Sequence, residues 1–244
     1  EISFLEITKK TKVSEIFKAI SNYNELSEIR YVGGCVRKIL NEEEFDDIDL
    51  ATNLKPNEVK ECLKQNNIDF FETGIDHGTI TARINEKNFE ITSLRKDIST
   101  DGRRAIVEFT NEWKMDALRR DFTINSIYAD KEGNLFDPNE GVNDLKNGKV
   151  EFIGDPEKRV KEDYLRILRY ARFFLNYSKQ EHKLNVIKII KQNISGISKL
   201  SKERLIDELK KFATSNGFIN ICEDDFCKEI LLLIFPQLKN IDIL

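Results

Sequence analysis

The chain has no apolar run approaching the ~20 residues that span a bilayer, and no basic-then-apolar segment opens it. A membrane-embedded or exported protein is therefore not expected, and a cytoplasmic one is the default. Four cysteines (Cys35, Cys62, Cys222, Cys227) show no C-x-x-C spacing, and only two histidines, His77 and His182, accompany them. A zinc site is not expected on that inventory, and reduced, buried thiols are. There is no internal repeat and no low-complexity segment. Glu1 stands where a methionine would begin a natural chain, so the numbering reads as that of a trimmed one. What remains is ordinary for a globular protein: 244 residues, 40% hydrophobic and 34% charged, enough for one large domain or two modest ones.

The net charge of −4 conceals a segregation. Residues 1–145 carry −9, residues 146–212 carry +8, and the last 32 carry −3. An acidic half followed by a basic stretch suits a catalytic region with a phosphate-facing partner. A lysine-rich helical face kept for solubility is the competing reading.

The most informative stretch is Tyr31-Val32-Gly33-Gly34-Cys35-Val36-Arg37, followed by Phe45-Asp46-Asp47-Ile48-Asp49-Leu50. It predicts a strand, a glycine turn, a helical turn carrying Arg37, and a second strand. With a side-chain period of two, Asp47 and Asp49 share one face while Ile48 and Leu50 face the core. Two such carboxylates are most readily kept where a divalent cation lies between them, and hard oxygen donors suit Mg²⁺ with substrate phosphates completing its shell. Gly33 and Gly34 let backbone N–H groups approach a phosphate at a helix start. Either feature alone is an unremarkable turn or strand end. Together, with Arg37 between them, they point to a metal-dependent nucleoside-triphosphate site.

Val13, Ile16, Phe17 and Ile20 have helical spacing, and Pro56 can open a helix burying Val59, Cys62 and Leu63. Strands are predicted over Ile68–Thr73, Gly78–Ile84 and Phe89–Leu94. If the last lies beside the Asp47–Asp49 strand, Glu90 is a candidate third carboxylate; a solvated glutamate is the alternative. Arg95–Arg104 is charged, with one glycine and no apolar period, and predicts a loop. A helix over Asn111–Arg120 would present Arg119, Arg120 and Asp121, residue types that bind phosphates and ribose hydroxyls. From Gly154 onwards only helices are predicted. One runs through Glu162–Phe174, with Leu165, Leu168, Ala171 and Leu175 buried and Asp163 and Arg166 as surface neighbours. Another, over Ser201–Ala213, pairs Arg204 with Glu208, and an apolar run covers Glu229–Phe235.

As a set, these motifs resemble the class II tRNA nucleotidyltransferases of the polymerase-beta superfamily, from about residue 25 to about 235. Gly33-Gly34, Arg37, Asp47 and Asp49 match the first family motif, which implies that the aspartates hold catalytic Mg²⁺. Arg119-Arg120-Asp121-Phe122-Thr123-Ile124-Asn125 resembles the second and implies triphosphate and ribose recognition by Arg119, Arg120, Asp121 and Asn125. Leu135-Phe136-Asp137-Pro138, Gly141 and Asp144-Leu145 resemble the third. Glu162-Asp163-x-x-Arg166-x-x-Arg169 is similar to the fourth, implying base selection by Asp163, Arg166 and Arg169. Arg204-x-x-x-Glu208 fits the fifth, and Thr73–Thr79 is similar to the CCA-type head. Lys38 and Tyr164 depart from the usual residues, and the chain stops soon after the fifth motif, so that the further helical regions that grip tRNA in the family are either much reduced or cut off.

The resemblance implies an α+β fold: a polymerase-beta-like head of mixed sheet and helices over residues 1–150, then an all-α neck and short body over 151–244. It implies an enzyme adding C, C and A to the tRNA 3′ end from CTP and ATP with Mg²⁺, by attack of the terminal 3′-hydroxyl on the α-phosphate. The alternatives, in order, are an A-adding or CC-adding partial enzyme, a poly(A) polymerase, and a non-catalytic RNA-binding module.

Overall fold

The computed structural model describes residues 4–45, 47–74, 78–100 and 105–240. The chain divides into two compact units, one of residues 1–98 and 106–142, the other of residues 99–105 and 143–244.

The first unit opens with α1 (Phe4–Lys10) and α2 (Val13–Ser21). Val13, Ile16, Phe17 and Ile20 are buried, as their spacing predicts. There follow β1 (Ile29–Val32), α3 (Gly34–Leu40), β2 (Asp49–Thr52), α4 (Pro56–Gln65), β3 (Asp69–Gly74), β4 (Thr79–Ile84) and β5 (Lys87–Ser93). After these come β6 (Arg95–Thr100), β7 (Ala105–Phe109), α5 (Trp113–Leu118), β8 (Tyr128–Ala129) and β9 (Leu135–Phe136). The three strands expected between Ile68 and Leu94 are β3, β4 and β5, and α4 buries Val59, Cys62 and Leu63.

Among the described residues seven strands form one sheet in the order β3-β4-β5-β2-β1-β8-β9. The β2–β5 pair is parallel, and its neighbours on either side are antiparallel. One face carries Tyr31, Leu50, Ile80 and Ile91 into a core shared with α2 and α4. The other carries Val32, Ala51 and Tyr128 against Trp113 and Ala117 of α5. Full burial of each large apolar side chain contributes about 1.5–3 kcal/mol, so a sheet covered on both faces is a firm base for a site at its strand ends.

The loop expected over Arg95–Arg104 is instead strand across Arg95–Thr100, paired with β7 in a two-stranded ribbon. One charge pair spans the ribbon, Lys96 to Glu108 at 3.1 Å, and such cross-strand pairs support a strand without apolar alternation. Residues 101–104, Asp46, and the Ile75-Asp76-His77 part of the expected CCA-type segment lie outside the described residues.

Helix α6 (Gly141–Lys146) carries the chain from the first unit to the second. Its start is set by Asp137, whose two carboxylate oxygens accept the N–H groups of Gly141 and Val142 at 2.8 Å each. The second unit is helical: α7 (Pro156–Glu162), α8 (Leu165–Tyr177), α9 (Leu184–Asn193), α10 (Lys202–Ala213) and α11 (Asp225–Ile234), with 3₁₀ turns between. The single helix expected over Glu162–Phe174 is broken at Asp163, whose φ of −153° and ψ of 105° are extended. Leu165, Leu168 and Ala171 are buried, but the stripe also takes in Ile167, Tyr170 and Phe173, while Leu175 is only half-buried. No described helix is long and apolar enough to cross a membrane. Cys35, Cys62 and Cys227 are buried free thiols, whereas Cys222 is exposed, contrary to the expectation for all four.

Candidate functional site

In the first unit the carboxylates come from two adjacent strands. Asp47 is exposed, Ile48 buried, Asp49 half-buried and Leu50 buried, an alternation like that of a strand, but β2 begins at Asp49, so Asp47 lies just before it. Parallel pairing of β2 with β5 sets Asp49 directly beside Glu90. Partners in a register point to the same face, so Glu90, itself exposed, joins Asp49's side of the sheet. The first turn of α3 approaches the same strand end: the Cys35 thiol donates to the Asp49 backbone carbonyl at 3.6 Å.

The turn between β1 and α3 depends on its first glycine. Gly33 has φ 71° and ψ −124°, a conformation closed to residues with a Cβ. Guanidinium groups flank the turn. A Cβ on Gly33 would stand 3.7 Å from Nη1 of Arg120, and one on Gly34 would stand 3.9 Å from Nη2 of Arg37. Arg37 is buried at 5% exposure. Its Nη1 donates to Oδ1 of Asn125, and Asn125 Nδ2 donates to Asp121 Oδ1 at 3.0 Å. Residues 88 positions apart thus form one chain from the glycine turn to the Arg-Arg-Asp motif.

Arg119 and Arg120 are held from beneath. Both reach the buried carboxylate of Asp116: Arg119 Nη2 lies 2.7 Å from Oδ1 and Arg120 Nη2 lies 2.9 Å from Oδ2. The Tyr128 hydroxyl donates to Asp116 Oδ2 at 2.7 Å. Burial alone would push the Asp116 carboxyl up, but Arg120, Arg119 and the Tyr128 hydroxyl hold it well below the usual carboxylate range. A third arginine borders the group: burial, then the charge of Arg119, brings the Arg95 guanidinium down to about 10. Three arginines around one or two carboxylates leave excess positive charge, which suits a polyanion.

In the helical unit each fourth-motif residue has a partner of its own. Asp163 accepts from Arg204 Nη2 at 2.7 Å and from the Leu165 N–H at 3.1 Å. Arg166 Nη1 donates to Glu162 Oε2 at 2.9 Å and to the Arg159 carbonyl at 2.7 Å. Glu208, buried at 3% exposure, takes Arg172 Nε at 2.6 Å and lies 3.6 Å from Arg169 Nη1. The expected pairing of Arg204 with Glu208 is therefore reorganised: Arg204 reaches Asp163, and Glu208 anchors α8 through Arg169 and Arg172. The break at Asp163 also means that Asp163 and Arg166 are not one helical turn apart on a common helix face.

Several participants escaped the sequence reading. Asp116 stands three and four residues before Arg119 and Arg120, the spacing of helical ion pairs, so its role was open to detection. Glu162, four residues before Arg166, has the same spacing, Arg95 fell within the expected loop, and Tyr128 gave no comparable signal. Gly196 explains the unusual Tyr164, since a Cβ there would come within 2.2–2.4 Å of the tyrosine ring.

Residues 29–151 match the family described as Poly A polymerase head domain. The chain is 47% identical over 195 residues to the human CCA tRNA nucleotidyltransferase 1, mitochondrial, an alignment covering 79% of this chain and 45% of that protein. It is 37% identical over 228 residues to the CCA-adding enzyme of Lactobacillus helveticus, covering 87% of this chain and 55% of the relative. The Bacillus stearothermophilus CCA-adding enzyme solved in complex with CTP superposes with a TM-score of 0.76 at 25% identity, covering 92% of this chain and 52% of that one. A tRNA nucleotidyltransferase solved with a primer tRNA and an incoming ATP analogue superposes with a TM-score of 0.68 at 26% identity, covering 95% and 62%. This chain spans about half the length of the curated relatives it matches.

Proposed function

We propose, from the premise that this chain belongs to the Poly A polymerase head domain family, that it carries the nucleotidyl-transfer apparatus of an enzyme adding C, C and A to tRNA 3′ ends. The substrates are CTP, ATP and a tRNA ending at or before the CCA positions, and pyrophosphate leaves. The observation that carries the reading is the register Asp49 beside Glu90, at a strand end that Asp47 precedes by two residues and that the start of α3 approaches. The names of the relatives, all CCA-adding or tRNA nucleotidyltransferases, support the same reading.

The family is one of metal-dependent nucleotidyltransferases, and Mg²⁺ is the cation proposed here. Asp47 and Asp49, with Glu90 as a third candidate, offer hard oxygen donors that are at least partly open to solvent, which fits Mg²⁺. When bound, Mg²⁺ would supply charge neutralisation at the phosphates and acidify the attacking 3′-hydroxyl. The chain's own residues do the remainder. Backbone N–H groups at Gly33 and Gly34, with Arg37, Arg119 and Arg120, hold the triphosphate. Asp121 and Asn125, fixed by their mutual hydrogen bond, address the ribose.

Base choice falls to the helical unit. Cytosine and adenine share an exocyclic amino donor beside a ring-nitrogen acceptor. The Asp163 carboxylate accepts from the amino group and the Arg166 guanidinium donates to the ring nitrogen, with Arg169 bracing the helix through Glu208. Uracil and guanine reverse both contacts, at roughly 1–3 kcal/mol for each buried mismatch. A cytoplasmic setting is part of this proposal, although the human relative is named as mitochondrial.

The test is sequencing of the 3′ ends made with CTP and ATP from tRNA lacking CCA, ending in C, and ending in CC. Completion of CCA on all three supports the reading. Addition of A alone or of CC alone assigns a partial enzyme, and untemplated A tracts assign a poly(A) polymerase.

A further inference from the structure

Among the described residues, one group of three metal-ligating side chains brings its donor atoms within 4.8 Å of one another: His182, Asp224 and Cys227, in the helical unit. His182 follows α8, Asp224 is the N-cap of α11, and Cys227 lies in the first turn of α11. His182 Nε2 is 3.0 and 3.1 Å from the two Asp224 oxygens and 3.8 Å from the Cys227 sulfur. Tetrahedral zinc, with Zn–N and Zn–O near 2.1 Å and Zn–S near 2.3 Å, sets its donors about 3.4–3.6 Å apart. The two separations from His182 Nε2 therefore already stand close to those that such an ion imposes, and the third, from Asp224 to the Cys227 sulfur, is within 4.8 Å.

The surroundings fix the imidazole in the required orientation. The Tyr170 hydroxyl is 3.0 Å from His182 Nδ1, the outer hydrogen bond that characteristically orients a ligating histidine. The ring stacks on Phe174 at 3.6 Å and meets Phe226 edge-on at 4.8 Å. The Asp224 carboxylate is fixed by the Cys227 N–H at 2.8 Å. His182 and Asp224 keep 11% and 18% of their side chains exposed, so an ion and a fourth, water ligand have an entry path. The zinc-excluding inventory of the sequence rested on spacing; a single histidine with D-x-x-C on a helix start meets the need through the fold.

We propose that His182, Asp224 and Cys227 bind one zinc-class divalent cation, which pins the segment after α8 to the start of α11. The site is separate from the Mg²⁺ carboxylates in position and in donor type, since only this one contains sulfur. A hydrogen-bonded cluster that never takes a metal is the alternative.

Cobalt(II) titration of the whole, chelator-dialysed chain decides between them. The expected result is one cobalt per chain with a thiolate-to-metal charge-transfer band and the intense visible bands of a tetrahedral ion, displaced by one equivalent of Zn²⁺ and not by Mg²⁺. Cys227→Ser abolishes the thiolate band, whereas Cys222→Ser leaves it unchanged. Asp224→Asn keeps a competent helix cap and, like His182→Gln, weakens cobalt binding; these variants carry the test if Cys227→Ser does not fold. Tyr170→Phe weakens binding by about tenfold or more. A folded wild-type chain that shows no thiolate band, or a band lost in Cys222→Ser, overturns the proposal.

Discussion

The Asp163 carboxylate is bound to Arg204 at 2.7 Å, while Arg166, three residues on, is bound to Glu162 at 2.9 Å. The two residues proposed to read the base are thus oriented by separate partners. Arg204, on α10, fixes one Asp163 oxygen while the Leu165 N–H fixes the other. A base amino group would meet a carboxylate whose direction is already set.

Arg204→Ala should therefore loosen selection more than it loosens the fold. The arginine side chain is 41% exposed, and such a pair is worth about 1 kcal/mol or less to stability. Discrimination of CTP against UTP should fall by about tenfold, the effect of one imperfect contact near 1.4 kcal/mol. Single-turnover incorporation with all four nucleotides checks this, and unchanged discrimination would detach Arg204 from base choice.

Asp116 should matter more to stability than any exposed charge. Asp116→Ala leaves Arg119, Arg120 and the Tyr128 hydroxyl without their shared acceptor, a loss of about 3–5 kcal/mol by analogy with other broken buried pairs. The wild-type carboxyl titrates below its unfolded value. Its contribution is thus complete above the ordinary carboxylate range, near pH 4, and is lost as pH falls through and below it. Denaturant melts between about pH 6 and pH 3 should show a steeper acid loss for wild type than for Asp116→Asn.

Gly196→Ala should act through Tyr164. The added methyl would come within 2.2–2.4 Å of the tyrosine ring, and overpacking of this kind costs about 1–3 kcal/mol. In a Tyr164→Ala background the same change should cost little. Additive effects in that double-mutant cycle would show that the two positions do not compete for the same space.

Much of this was legible in the sequence where chemistry repeats at short range. The burial of Val13, Ile16, Phe17 and Ile20 follows from a helical period, and the alternating burial of Ile48, Asp49 and Leu50 from a strand-like one. The neighbourhood of Glu90 was only conditional, because strand order is set by long-range pairing that no local pattern encodes. The ribbon at Arg95–Thr100 was missed because its charged residues, of which Lys96 pairs across to Glu108, imitate loop composition. The break at Asp163 was missed because buried apolar residues lie on both sides of it, Val160 before and Leu165 after, while Arg204, 41 residues away, supplies the bond that holds the break. The His182–Asp224–Cys227 cluster was hidden for the same reason: its members meet only once α11 packs on α8.

The most direct measurement is CTP incorporation into tRNA lacking CCA, in Mg²⁺, by the wild-type chain and by Asp47→Asn and Asp49→Asn, with folding verified by circular dichroism. Loss of a carboxylate that would hold the charge-neutralising cation is worth several kcal/mol, so incorporation should fall by roughly a thousandfold or more in each variant. Folded variants that incorporate CTP at near-wild-type rates would contradict the account.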